Sequence, residues 1–432
     1  MKNRKALALI AILALVAAAC GGSDGGSDDA VVEVETTEAP ATTEAPTTTA
    51  APAPASDPLI LASLMPLSGD LASLGPGIAL GAALAVEQIN AAGGINGQPV
   101  QLIEGDSGCD GAVALTSLND VIAQGAQGVM GAACSSTSLA ILDTAIAAEV
   151  VMISPSNTSP QFTKIDKKGF YARTAPSDLL QGDVLASLLI EDGVGSVSII
   201  SRADSYGRGL AEATAAAFED AGGTVKTIVY HATDASDFSA EVTALGKGAA
   251  DAIVGILFPE TGCGVLQPAF EQGLLDSPWY MTDGVKDAGL ASLCGLGTAL
   301  DGFKGTAPGS AAGEAKDAFE AAYAGVSADG SPTFIFAPQA YDAVMLMAIS
   351  AAANGVTGPE IASGLVEASS GGEKCIGVSC IALAADGVDV DYVGASGEIE
   401  LNQAGDPTAA TYDIWTTEGD TNPVLKSVDF GS

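Results

Sequence analysis

The chain has 432 residues, with 16 Lys and Arg against 53 Asp and Glu, a formal charge of −37, one histidine and seven cysteines. So acidic a chain has no cationic surface for a phosphate backbone, which excludes nucleic acid as a partner. One histidine and no C-x-x-C argue against zinc, and no metal or cofactor is implied.

Lys2, Arg4 and Lys5 precede an unbroken apolar run, Ala6–Ala19, and then Cys20. The run is short of the ~20 residues a membrane span needs, so residues 1–19 read as a signal peptide. Ala17-Ala18-Ala19-Cys20 resembles a bacterial lipobox, which implies a lipidated Cys20 on the outer face of the cell membrane. Removing residues 1–19 also removes three positive charges, bringing the formal charge to −40. Residues 20–57 are Gly, Ser and Asp followed by Thr-Glu-Ala-Pro repeats. They have too little apolar surface to offset ordering and read as a disordered linker with a reach of ~30 Å or more.

From Pro58 the pattern alternates strand and helix. Strands are predicted at Leu59–Leu64, Val100–Glu104, Gly128–Gly131, Val150–Ser154 and Phe170–Thr174. Helices are predicted between them at Ile78–Ala92, Ala112–Ala123 and Ser136–Ala148. The alternation restarts with helix Leu179–Glu191, strand Val197–Ser201, helix Gly209–Ala221 and strand Val225–Tyr230. Helix Ala240–Ala249, strand Ala252–Leu257, helix Gly264–Gly273 and strand Trp279–Thr282 follow. Helices Ala315–Tyr323 and Ala337–Ala353 come next, and Gly397–Ser432 reads as β, clearest at Glu398–Leu401 and Tyr412–Thr416. Apolar strands without alternation are those of parallel sheets covered on both faces. The fold class is α/β, with two doubly wound, Rossmann-like lobes joined by a multi-strand hinge. The lobes are expected to be 58–173 plus 306–405 and 174–305 plus 406–432, with the hinge at Tyr171–Ala175 and near Gly305 and Asp406.

Two of three loop segments after early strands bear hydroxyl clusters at a helix start: Gly131-Ala-Ala-Cys134-Ser-Ser-Thr and Ser154-Pro-Ser-Asn-Thr158-Ser-Pro. Free N–H groups and hydroxyls at a helix start suit a carboxylate. Ligands of such sheets bind outside the carboxyl ends of strands, which makes Ser135, Ser156, Thr158 and Asp283 candidates. Cys20 aside, six cysteines suit three disulfides in an oxidising compartment, and order and spacing favour Cys109–Cys134, Cys263–Cys294 and Cys375–Cys380. Sequence leaves the pairing of the last four open. Enzyme signatures are absent from Pro58 onward: a Ser-His-Asp triad would have to use His231, there is no G-x-S-x-G in that part of the chain, and Gly75-Pro-Gly77…Gly81 has the wrong spacing for a nucleotide loop.

Seven segments in order, Pro66-Leu-Ser-Gly69, Ala91-Ala-Gly-Gly-Ile-Asn-Gly97, Asp106…Cys109-Asp110, Cys134-Ser135-Ser136, Ser154-Pro-Ser-Asn-Thr158, Ser205-Tyr206-Gly207 and Asp283-Gly284-Val285, carry a resemblance. The chain from Leu59 onward resembles the leucine/isoleucine/valine-type periplasmic binding proteins (type 1 fold), receptors of branched-chain amino acid ABC importers. The resemblance implies no catalysis, a disulfide between Cys109 and Cys134, and a small-molecule ligand passed to permease subunits. It implies that Ser135 holds the ligand carboxylate, that the Ser156 carbonyl and Thr158 side chain line the site, and that Asp283 meets the ammonium. Tyr206 and Tyr341 match cleft tyrosines. Leu74 and Leu257-Phe258-Pro259-Glu260 depart from the family's aromatic positions, so the side-chain pocket differs. A sensor of amides or urea, signalling to a regulator, is the alternative.

Overall fold

The computed structural model describes residues 57–235 and 237–430, and the expected signal peptide, Cys20 and nearly all of the linker lie outside them. The first apolar run forms β1 (Ile60–Met65), followed by α1 (Gly75–Ala91), β2 (Gln101–Asp106), α2 (Gly111–Ala123), β3 (Gly128–Gly131) and α3 (Ser135–Ala147). β4 (Val151–Ser154), the single turn α4 (Gln161–Lys164) and β5 (Tyr171–Arg173) complete a five-stranded parallel sheet in the order β2-β1-β3-β4-β5. β3 and β4 are buried along their whole length, as expected for strands covered on both faces.

The chain then crosses to a second sheet. α5 (Asp178–Glu191), β6 (Ser196–Arg202), α6 (Ser205–Asp220), β7 (Thr224–His231), α7 (Ser239–Gly246) and β8 (Ala252–Ile256) follow in turn. After them come α8 (Pro259–Glu271), β9 (Trp279–Met281), the single turn α9 (Leu290–Leu293) and β10 (Lys304–Pro308). β10 spans position 305/306, where the sequence reading divides the lobes, and it pairs with β9 in this sheet. The chain next forms α10 (Glu314–Val326), α11 (Ala337–Asn354), α12 (Gly358–Gly364), β11 (Glu373–Ile376), α13 (Ser379–Ala385), β12 (Val390–Gly394) and β13 (Gly397–Glu398). β14 (Ala410–Thr416) and β15 (Val424–Phe430) return as antiparallel strands to complete the order β15-β14-β10-β9-β8-β6-β7.

Several sequence expectations are corrected. The helix predicted at Gly264–Gly273 begins at Pro259, because proline is well placed in a first helical turn, where its missing N–H costs nothing. The strand predicted at Glu398–Leu401 is only Gly397–Glu398, with Leu401 in an isolated bridge to Pro407. The small sheet β11-β12-β13 and the helices α12 and α13 were not foreseen. α11 is buried on all sides and lies against α1 so closely that a Cβ at Gly81 would collide with the Ala337 carbonyl.

Each parallel sheet has a switch point where strand order reverses, between β1 and β3 in one and between β6 and β8 in the other. Crevices at such points are where ligands bind. Loops leaving the carboxyl ends of β1, β3 and β4 face those leaving β6, β8 and β9. The crossing segments are pinned by Arg173, fully buried at the end of β5. Its Nε donates to Asp406 (2.8 Å), and its Nη1 donates to the carbonyls of Asn157 (3.1 Å) and Ser159 (3.0 Å).

Candidate functional site

The β3–α3 and β4–α4 loops are tied together by short polar side chains. Ser154 Oγ donates to the Ala132 carbonyl (2.7 Å), Ser156 Oγ to that of Ala133 (3.1 Å), and Asn157 Nδ2 to Ala133 (2.7 Å). Tyr171 in turn donates to Asn157 Oδ1 (2.9 Å). These bonds fix the start of α3, where Cys134 is the N-cap and Ser135 the first helical residue. The first amides of a helix have no partner within it, and they lie at the positive end of its dipole. Cys109 is disulfide-bonded to Cys134, which ties this helix start to the loop after β2. Cys263–Cys294 and Cys375–Cys380 are bonded as well.

Opposite stands Asp283, immediately after β9. Its Oδ1 accepts from Tyr206 OH (2.9 Å) and Gln181 Nε2 (2.8 Å), and Tyr206 OH also meets Thr282 Oγ1 (2.9 Å). Burial pushes the Asp283 carboxyl up to about 6, although the bonds from Tyr206 and Gln181 favour its charged form. Among the described residues no cation pairs with it.

Between the two lies a small cavity lined by Leu71, Leu74, Ile78, Ser135, Ser156, Tyr206, Phe258, Asp283 and Phe336, with Ala133 and Gly284. Its volume is about 20 Å³, the space of a single water, so a larger ligand requires the walls to move apart. The site is therefore polar at two opposed ends and apolar between them. Two of its apolar walls, Leu71 (φ 65°) and Phe336 (φ 60°), sit in the left-handed region. Bulky side chains avoid that region at a cost of order 1 kcal/mol or more, and strain of this kind gathers at binding sites.

Of the residues singled out from sequence, Ser135, Ser156, Tyr206 and Asp283 share this cavity. Thr158 lies just behind it, fully buried, and its hydroxyl is without a hydrogen bond. Tyr341 is not brought there. It donates to Gln88 Oε1 (2.7 Å), packs edge-on to Phe319, and lines a different cavity of about 330 Å³. At the Leu257-Phe258 departure, Phe258 faces the cleft while Leu257 is wholly in the core. A larger hollow, about 360 Å³ beside Ala311–Lys316 and Phe430, has Ser396 and Thr411 in its wall, and its acids, Glu314, Glu398 and Asp429, are exposed.

One residue escaped the sequence reading. Asp178, the first residue of α5, is fully buried, and neither carboxylate oxygen accepts a well-formed hydrogen bond. Burial, then the nearby charge of Asp283, holds its carboxyl well above the usual range, against the influence of the Thr158 hydroxyl beside it. A buried acid without a partner is costly to ionise. In sequence, Ser177-Asp178 reads only as a helix start, and Ser177 does cap α5.

A family profile described as periplasmic binding protein matches residues 58–374. The leucine-, isoleucine-, valine-, threonine- and alanine-binding protein of Pseudomonas aeruginosa is 31% identical over 304 residues, 68% of this chain and 78% of the relative. Among solved structures, the branched-chain amino acid transporter substrate-binding protein LivJ of Streptococcus pneumoniae, in complex with isoleucine, superposes with a TM-score of 0.72. It is 22% identical and covers 87% of this chain and 100% of its own. A solute-binding protein of an ABC transporter from R. palustris, in complex with benzoate, superposes at 0.71 with 17% identity, covering 87% of this chain and 98% of its own. At these identities the two structures bear on the fold alone.

Proposed function

The chain belongs to the periplasmic binding protein family, and from that premise we propose that it captures a small amino acid between its lobes and delivers it to an ABC importer. The observation that carries this reading is the opposition of an unneutralised acid, Asp283, and the start of α3 across one cavity. A zwitterion satisfies both ends at once. Its carboxylate meets the α3 amides and the Ser135 hydroxyl. Its ammonium meets Asp283, with Asp178, the Thr158 hydroxyl and the Ser156 carbonyl around it. The remaining wall, Leu71, Leu74, Ile78, Phe258 and Phe336, suits an aliphatic side chain.

Because the two charge-bearing ends come from different lobes, a zwitterion interacts better with the closed arrangement than with the open one. That differential affinity draws the lobes together. A lipidated Cys20 followed by the 20–57 linker would hold this receptor outside the membrane, within reach of a permease.

A thermal-shift screen of the protein at pH 7.5 tests the reading, with amino acids from glycine to leucine, acetamide, urea, benzoate and 4-methylpentanoate. An aliphatic amino acid at ~100 times its Kd adds about 2.7 kcal/mol and raises Tm by several degrees. Benzoate and 4-methylpentanoate, having no ammonium, should leave Tm unchanged, since they would strand the buried acids. A rise with either acid and none with any amino acid would overturn the assignment.

A further inference from the structure

The loop Pro66–Leu74 roofs the cavity, contributing Leu71 and Leu74 to its apolar wall. Its first half is held from within its own lobe by Asp106, whose Oδ1 accepts from Leu67 N (2.9 Å) and Ser68 N (3.3 Å). Its second half is held by the opposite lobe. Glu260, in the first turn of α8, accepts from Leu71 N through Oε2 (2.8 Å) and from Ser73 N through Oε1 (2.9 Å). One residue earlier, Asp70 Oδ2 accepts from Arg202 Nη1 (2.6 Å). Arg202 also pairs with Asp204 (2.9 Å), and its guanidinium lies 3.8 Å from the ring centre of Phe258, another wall of the cavity.

Neither Glu260 nor Arg202 lines the cavity. Both act on it through groups that do. The contact made by Glu260 is the more specific, because each of its oxygens takes one backbone N–H of the segment that includes Leu71 in its left-handed conformation. With the lobes apart those two amides are returned to water, and the segment keeps only its own turn bonds, from Ala72 N to the Gly69 carbonyl (3.3 Å) and from Leu74 N and Gly75 N to the Leu71 carbonyl (2.9 Å each).

We propose that Glu260 is a positioning residue that couples lobe closure to assembly of the apolar roof over the ligand. On closure its carboxylate takes up the Leu71 and Ser73 amides and sets Leu71 and Leu74 against the ligand side chain. The inference rests on the cleft being an amino acid site, and it adds a residue that reaches the ligand only through the loop. Two consequences follow. Loss of Glu260 accelerates dissociation more than it slows association, since the bonds form after encounter. The loss grows with ligand side-chain size, since the roof touches the side chain and not the zwitterion.

The test uses Glu260→Ala and Glu260→Gln in the full chain. Hydrogen exchange is measured across residues 66–75, without ligand and with the best amino acid of the screen, alongside binding kinetics for leucine and glycine. Exchange at Leu71 and Ser73 should quicken in the variants while Leu67 and Ser68, held by Asp106, stay as in wild type. Leucine dissociation should accelerate on the order of tenfold in Glu260→Ala, as removal of charged hydrogen bonds implies, with glycine affected less. Glu260→Gln, keeping one acceptor, should fall between. Equal exchange at Leu71 and Ser73 in ligand-bound wild type and ligand-bound Glu260→Ala overturns the proposal, as does an equal loss for glycine and leucine. If wild type binds no amino acid, the ligand assignment fails, and the same exchange comparison with whichever compound of the screen raises Tm decides the role of Glu260.

Discussion

Asp283 and Asp178 give the site a pH dependence whose sign is fixed by their environments. Both carboxyls are raised, by burial first, Asp283 to about 6 and Asp178 well above the ordinary value of 3.8. The ligand-free folded protein therefore binds more protons than the unfolded chain between about pH 4 and 6, and its stability contribution from Asp283 falls as pH rises through that window. An incoming ammonium favours the ionised acids, so ligand affinity moves the other way and weakens below about pH 6. Calorimetry at pH 5 and 7.5 should show at least tenfold weaker binding at pH 5, with proton release on binding in buffers of different ionisation heat. Asp283→Asn should abolish binding yet raise the ligand-free Tm at pH 7.5, because it removes a buried charge while leaving an acceptor for Tyr206 and Gln181. A variant that loses stability, or that retains affinity, would place the ammonium elsewhere. Ser135 and Ser156 were legible in sequence because hydroxyls at a loop-to-helix junction have a local meaning. Asp178 was not, because a helix-start aspartate is common, and only the packing around it shows that its oxygens lack partners. Tyr341 was misplaced because α11 is buried all round, so helical periodicity does not say which of its faces meets the cleft.

At the scale of elements, the disulfide Cys109–Cys134 joins two loops that local sequence cannot place side by side. It closes a loop with a sequence separation of 25 and fixes the N-cap of α3, where the ligand carboxylate is proposed to sit. Closure of such a loop contributes about 3 kcal/mol by constraining the unfolded chain. Cys109→Ser with Cys134→Ser should therefore cost about that much in denaturant unfolding and also weaken ligand binding. An unchanged affinity would mean that α3 keeps its position through Ser154, Ser156 and Asn157 alone. Most strands and helices were legible because their apolar runs are bounded by Gly, Pro and Asn. The elements between α11 and β14 were not, being short and Gly-rich, with part of their order supplied by Cys375–Cys380 and by Asp342. That buried acid accepts from Ser396 Oγ (2.6 Å), Ala395 N (2.7 Å) and Tyr392 OH (2.8 Å). None of these partners is its neighbour in sequence.

For the whole molecule, the proposed arrangement is a charged receptor on a tether. Cys20→Ala should move the protein from the membrane fraction to the medium or the periplasmic extract, with ligand affinity unchanged, because every residue that lines the cavity is Leu71 or comes after it in the chain. Continued membrane attachment of the variant would end the lipid-anchor reading. The amino-acid sequence was enough for the fold class, most of the succession of strands and helices in both sheets, and four residues that line the cavity, Ser135, Ser156, Tyr206 and Asp283. The elements follow from apolar period and turn residues, Ser135 and Ser156 from hydroxyls at a loop-to-helix junction, Asp283 from its place at the end of a strand, and Tyr206 from the family resemblance. It took the packed molecule to show that Asp178 lies near Asp283, that Tyr341 lies elsewhere, that Phe258 lines the cavity, and that Glu260 reaches across to Leu71 and Ser73. Each of those is a meeting of groups far apart in the chain, and which groups meet is set by how two sheets pack and close, which no local pattern encodes.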